Sequence, residues 1–128
     1  MRTKLLALGG FVIGLLMVSG PAFAHHAWSG YDMAKLTTAK GSVLKFDWAN
    51  PHVWISFSVT NDKGNVETWS GGGPSLIRMS NTGWNKDTLK PGDQIIAIGN
   101  RIKDGTNNIR LTKVVLSDGR ELLCYGTR

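Results

Sequence analysis

A strict two-residue alternation of apolar and polar side chains is the feature that most constrains the fold of this chain. It runs from His52 to Thr60. Successive side chains of a β-strand point to opposite sides, so this pattern predicts a half-buried strand. One predicted face carries Val53, Ile55, Phe57 and Val59, and the other carries His52, Trp54, Ser56, Ser58 and Thr60.

A strand of the same period precedes it and begins at Gly41. Asn50-Pro51 separates the two strands, because proline has no N–H group and restricts the residue before it. Alternation predicts that Leu44, Phe46 and Trp48 share one face of the first strand, with Val43, Lys45 and Asp47 on the other.

Turn-forming residues divide the rest of the chain into further short elements. Gly71-Gly72-Gly73 predicts a flexible corner, and Pro74 is typical of the first turn of a short helix over 75–79. Turns predicted at 61–64, 90–93, 104–105 and 118–119 bound strands over 66–70, 94–100, 109–116 and 121–125.

This order of elements predicts an all-β fold. Three strands, one short helix and two or three more strands are typical of a small OB-like Greek-key barrel, here over residues 41–128. A small β-sandwich is the alternative. Residues 25–40 show neither strand nor helix periodicity, so we expect an N-terminal arm that lies on the barrel or over its mouth.

Residues 1–24 have the pattern of a signal peptide. Arg2 and Lys4 precede an apolar run of 14 residues, and Ala22-Phe23-Ala24 is a small-x-small cleavage pattern. The run is shorter than the ~20 residues that span a bilayer. We therefore expect a periplasmic or secreted mature protein, 25–128, without a membrane span; a retained signal anchor is the alternative.

Charge and cysteine content exclude several classes of function. Removal of the leader lowers Lys+Arg from 15 to 13 and the net charge from +6 to +4. The cations do not cluster, and an exported protein rarely meets nucleic acid, so we expect no nucleic-acid partner. A single cysteine, Cys124, excludes an internal disulfide and a thiolate metal cluster.

The start of the predicted mature chain is a candidate metal site. Cleavage after Ala24 makes His25 the N-terminal residue, so its α-amino group and imidazole Nδ1 can chelate one metal ion. Both groups lose protons readily near neutral pH. A further imidazole would complete a three-nitrogen histidine brace, which suits copper(II). Zinc could bind the same nitrogen donors, and a protein that binds no metal is the remaining alternative.

His52 is the candidate for that third nitrogen, with His26 as the alternative. The turn at Asn50-Pro51 places His52 near a strand end, beside Trp54. A surface histidine that merely packs on Trp54 is the competing interpretation. Expected supporting roles are shielding by Trp48 or Trp54, orientation of the ring by Asp47, and weak axial ligation by Met33, Met79 or Tyr31.

Several motifs together resemble a family of small exported bacterial proteins of unknown function. The resemblance covers the mature chain and implies an exported, OB-like, metal-binding domain. In that family an acidic residue often follows the tryptophan of the third strand, whereas here Trp69-Ser70 runs into glycines, so no carboxylate ligand is expected there. The motifs are His25-His26-Ala27-Trp28, Trp48-Ala49-Asn50-Pro51-His52-Val53-Trp54, Gly83-Trp84, Leu89-Lys90-Pro91-Gly92-Asp93 and Lys103-Asp104-Gly105.

The sequence thus predicts a periplasmic copper-binding protein that carries or stores its metal through His25 and His52 or His26. No motif of nucleophilic catalysis is present in the sequence, which favours binding over turnover. The alternative is a metal-free exported module whose aromatic face binds an envelope partner protein or a small ligand.

Overall fold

The structure of the protein is a computed structural model that describes residues 28–126. Strands form where the sequence alternates or is β-branched, and the turns fall at the predicted glycines, including Gly64 and Gly119 with positive φ. The elements are β1 (Thr37–Asp47), β2 (Trp54–Thr60), β3 (Val66–Gly72), α1 (Leu76–Ser80), β4 (Gln94–Arg101), β5 (Asn108–Leu116) and β6 (Glu121–Leu123).

Five strands close into a mixed barrel in the order β1-β2-β3-β5-β4 and back to β1. All neighbours are antiparallel except β3 and β5, which pair in parallel over residues 70–72 and 108–110. β6 adds to β5 outside this ring, and α1 lies between β3 and β4 in the chain. The predicted small OB-like barrel is confirmed, and the closure of β3 on β5 rules out the sandwich.

β1 differs from the prediction in its first residue and in which of its side chains are buried. It begins at Thr37, so residues 37–40 pair with β4 and belong to the barrel, not to an arm that ends at 40. The register slips between Val43 and Lys45. A bulge of this kind interrupts the two-residue alternation. As a result Val43 is buried while Leu44 is 49% exposed, and the predicted shared face of Leu44, Phe46 and Trp48 is wrong.

The interior is apolar and is supplied by every strand of the barrel. Ile55 and Phe57 of β2, and Val53 just before it, are fully buried, as the alternation in the sequence predicts. Met79 of α1 and Trp84 close one part of this core. Burial of the apolar face therefore fixes which side of β2 remains available for a site.

The segment before β1 packs along the β4–β5 end of the barrel. Tyr31 forms a β-bridge with Ile102, and its hydroxyl donates a hydrogen bond of 2.7 Å to Asn108 Oδ1. The backbone N–H of Lys103 donates to the carbonyl of Gly30 at 2.9 Å. These bonds anchor the chain just after Trp28.

Among the described residues, no helix combines the length and the apolar character that crossing a membrane requires.

Candidate functional site

His52 lies in the loop between β1 and β2, where one of its ring nitrogens is fixed by a hydrogen bond. Its Nδ1 is 3.1 Å from the carbonyl oxygen of Gly73, and the ring is partly buried. A carbonyl can only accept, so Nδ1 carries a proton, and in the neutral imidazole the lone pair is then on Nε2. This tautomer leaves Nε2 as the nitrogen that can bind a metal ion.

The backbone around His52 is held on both sides. Val53 accepts a hydrogen bond of 2.8 Å from Gly73 N–H and donates one of 3.1 Å to the carbonyl of Pro74. The side-chain oxygen of Asn50 accepts a hydrogen bond of 3.0 Å from the N–H of Leu76. The loop is thereby tied to the segment that joins β3 to α1, and the imidazole stands on a constrained backbone.

Trp28 covers His52. The two ring centroids are 5.1 Å apart at an interplanar angle of 64°. Trp28 also lies 6.3 Å from the ring of Trp54 and 5.3 Å from that of Tyr31. Edge-to-face contacts, such as those of Trp28 with His52 and Tyr31, are favourable at these separations. The beginning of the described chain is therefore packed against the imidazole, and Trp54 lies against Trp28.

Gly72 provides the space in which Trp28 and Trp54 meet. Its register partners are Trp54 on β2 and Arg110 on β5, so the three positions form one row across the barrel. A Cβ atom at Gly72 would lie 2.8 Å from the Trp54 ring and 2.9 Å from the Trp28 ring. Gly71 and Gly72 belong to β3 and, with Gly73, are buried, so the prediction of a flexible corner is wrong.

A positively charged flank adjoins the aromatic rings. The guanidinium carbon of Arg110 lies 3.9 Å from the ring centroid of Tyr125 and 5.8 Å from that of Trp28. Arg78 lies 5.8 Å from the same Tyr125 ring. Burial raises the pKa of the Tyr125 hydroxyl, and the charge of Arg110 acts against that shift. The sequence analysis did not identify Arg110, because a single arginine within a strand does not indicate which residues it contacts in the folded protein.

Two supporting roles predicted for the histidine site are not realised. Asp47 forms an ion pair of 2.9 Å with Lys45, and the partner of His52 Nδ1 is the Gly73 carbonyl instead. Trp48 packs on Phe46 and the core rather than on His52.

The three suggested axial ligands have other roles or positions. Met79 is fully buried in the core, and Met33 is 56% exposed on the segment before β1. The hydroxyl of Tyr31 is engaged with Asn108. Within residues 28–126 the structure thus brings Trp28 to His52, with Trp54 against Trp28, and it brings none of these three candidate ligands.

His25 and His26 lie outside the described residues. Within residues 28–126, no group of three or more His, Cys, Asp or Glu side chains is arranged to hold a metal ion. Cys124 is buried, and burial raises the pKa of its thiol to about 12, which removes it as a thiolate ligand near neutral pH.

Comparison with known proteins assigns the chain to a family. Residues 12–110 match a family of unknown function, DUF6152. The chain belongs to this family. The match spans the segment containing the two N-terminal histidines and His52, and reaches Arg110 of β5. No curated protein matches the chain.

Proposed function

We propose that this DUF6152 protein binds a single copper ion in the periplasm or outside the cell, through His25 and His52, and that it carries or stores the metal. The observation that carries the proposal is the packing of Trp28 on His52, whose Nδ1 is occupied by the Gly73 carbonyl. His52 supplies one donor of the proposed site, its Nε2 atom. The other donors are the amine and the imidazole of His25, three residues before Trp28.

Chain length supports the meeting of these groups. His25 precedes Trp28 by three residues, and three residues span at most about 11 Å. Trp28 is anchored by its ring contacts and by the bonds of Gly30 and Tyr31 that follow it. The His25 amine and imidazole are thus within reach of His52 Nε2, and His26 is the alternative third ligand.

The nature of the donors favours copper over other metals. Two imidazole nitrogens and an amine form a planar T-shaped set that suits copper(II), with zinc as the competing ion. The amine exists only if the leader is removed directly before His25. Export is therefore part of the same proposal.

A second candidate function rests on the aromatic surface. Trp28 and Trp54 are each partly exposed beside Arg110, so a metal-free module could bind a small ligand or an envelope partner protein at this end of the barrel. Failure of the protein to bind copper would favour this alternative.

The test begins with the exported protein and its intact mass, which locates the N-terminus. Copper(II) affinity is then measured by competition with a chromogenic chelator for wild type, His25→Ala, His52→Ala and His52→Asn. Asparagine retains an amide donor for the Gly73 carbonyl but removes the metal-binding nitrogen, so it separates loss of the ligand from loss of the fold.

We expect a mass that begins at His25 and one tightly bound copper ion. Each histidine variant, including His52→Asn, should weaken copper binding by at least about tenfold, equivalent to 1.4 kcal/mol. A chain that begins elsewhere, or a His52→Asn protein with wild-type affinity, would refute the proposal.

A further inference from the structure

Arg110 differs from the other arginine that stacks on a tryptophan. Arg101 lies 5.0 Å from the Trp69 ring centroid, and its side chain donates to the carbonyls of Gly105 and Thr106 and to Asn107. These bonds explain Arg101 as a structural residue that holds the loop between β4 and β5. Arg110 is also held against aromatic rings, but it makes no such bonds to carbonyls in the part of the chain that the structure describes.

The guanidinium of Arg110 forms no ion pair with any residue between 28 and 126. The ion pairs among residues 28–126 are Lys45–Asp47, Lys113–Glu121 and Arg120–Asp118, and none includes Arg110 or Arg78. Two positive charges therefore face the single ring of Tyr125 without a counter-charge from the described part of the chain.

The Nε edge of the Arg110 guanidinium is buried without a hydrogen-bond partner among residues 28–126. The buried hydroxyl of Tyr125 likewise has no such partner there. Arg110 as a whole is only partly buried, so the burial of its side chain is not complete. The rings of Tyr125 and Trp28 lie against the guanidinium and restrict its orientation.

We propose that Arg110, assisted by Arg78, forms a binding site for a small oxyanion, a carboxylate or a phosphate group, beside Trp28. The parallel N–H groups of a planar guanidinium match the paired oxygens of such an anion. The aromatic rings exclude water from one side of the charge, which strengthens the interaction. Arg78, on the exposed face of α1, adds the second positive charge.

This site stands on observations that are independent of the proposed copper site, although both adjoin Trp28. It is therefore tested in metal-free protein, prepared with an immobilised chelating resin because soluble EDTA is itself a polycarboxylate. Failure of copper binding leaves the oxyanion site intact, and loss of the oxyanion site leaves the copper proposal intact.

The experiment is an NMR titration of the full exported protein with acetate and, separately, with inorganic phosphate at constant ionic strength. We expect saturable shifts of the Arg110 Nε–H and the Trp28 indole N–H signals with at least one of the two anions. A response to acetate alone would identify a carboxylate site, and a response to phosphate alone would identify a phosphate site.

Three variants complete the test. Arg110→Gln should weaken binding by at least tenfold and Arg78→Gln by several-fold, since the second arginine supplies charge without the stacked geometry. Arg120→Gln, which removes an exposed arginine paired with Asp118, is the matched control and should bind as wild type.

Shifts that grow linearly without saturation, or Arg110→Gln and Arg78→Gln proteins that both bind as tightly as wild type, would overturn the proposal. Arg78 is on an exposed helix, so its variant is informative even if Arg110→Gln fails to fold.

Discussion

Replacing Gly72 with alanine tests whether the two tryptophan rings are held where the site requires them. The added methyl group would lie 2.8 Å from Trp54 and 2.9 Å from Trp28, whereas ordinary contacts begin at 3.4 Å. Each ring must therefore retreat by about 0.5 to 0.6 Å, because Gly72 is buried within β3 and cannot easily yield.

The expected loss of stability follows from this overlap. Overpacking by one methyl group costs about 1–3 kcal/mol, and the lower entropy of the unfolded alanine chain offsets about 0.4–1 kcal/mol of it. A net loss of about 1–2 kcal/mol lowers the Tm of a domain of this size by roughly 4–16 °C. Displacement of Trp28 should also weaken copper binding, because it moves the chain start away from His52.

Thermal unfolding followed by circular dichroism measures the first effect, and copper competition measures the second. Gly126→Ala is the control, since a Cβ there meets no atom within 4 Å. A Gly72→Ala protein with the Tm and the copper affinity of wild type would show that the rings do not depend on Gly72, and the geometry of the site would have to be revised.

Three further predictions concern the rest of the barrel. Asn100→Ala removes buried amide bonds of 3.0 Å to two carbonyls of the 28–36 segment, and urea unfolding should show a loss of about 1–3 kcal/mol; an unchanged midpoint would contradict this. The Cys124 thiol, with a pKa raised to about 12 by burial, should resist iodoacetamide in the native protein and react only after unfolding, as mass spectrometry would show. The hydrogen bond from Asn61 lowers the pKa of Glu67 below its ordinary value of 4.5. The stability that the Glu67 carboxylate adds is therefore present above pH 4.5 and is lost as the pH falls through the lowered pKa. An NMR titration that finds an unshifted pKa would refute this assignment.

The strands and the buried face of β2 could be predicted because alternation is a local property of the sequence. The start of β1 could not, since Thr37-Thr38-Ala39-Lys40 has no apolar period and only Ala39 is buried. These residues are extended because β4 supplies their hydrogen-bond partners, which is a property of the closed barrel.

Of the candidate site, the sequence singled out His52 and Trp54 but not what surrounds them. The contact between Trp28 and His52 joins residues far apart in the chain, and it requires the closed barrel and the absence of a side chain at Gly72. Likewise Arg110 reaches Trp28 only because β5 pairs in parallel with β3. These contacts depend on how the strands are arranged in the barrel, so they cannot be predicted from local sequence patterns.

The most direct test of the central claim is electron paramagnetic resonance of the exported protein loaded with one equivalent of copper(II). If the amine, His25 and His52 bind the metal, the spectrum should show superhyperfine coupling to three nitrogens, and His52→Asn should lose one of them. An identical spectrum from wild type and His52→Asn would contradict the account, because His52 would then not be a ligand.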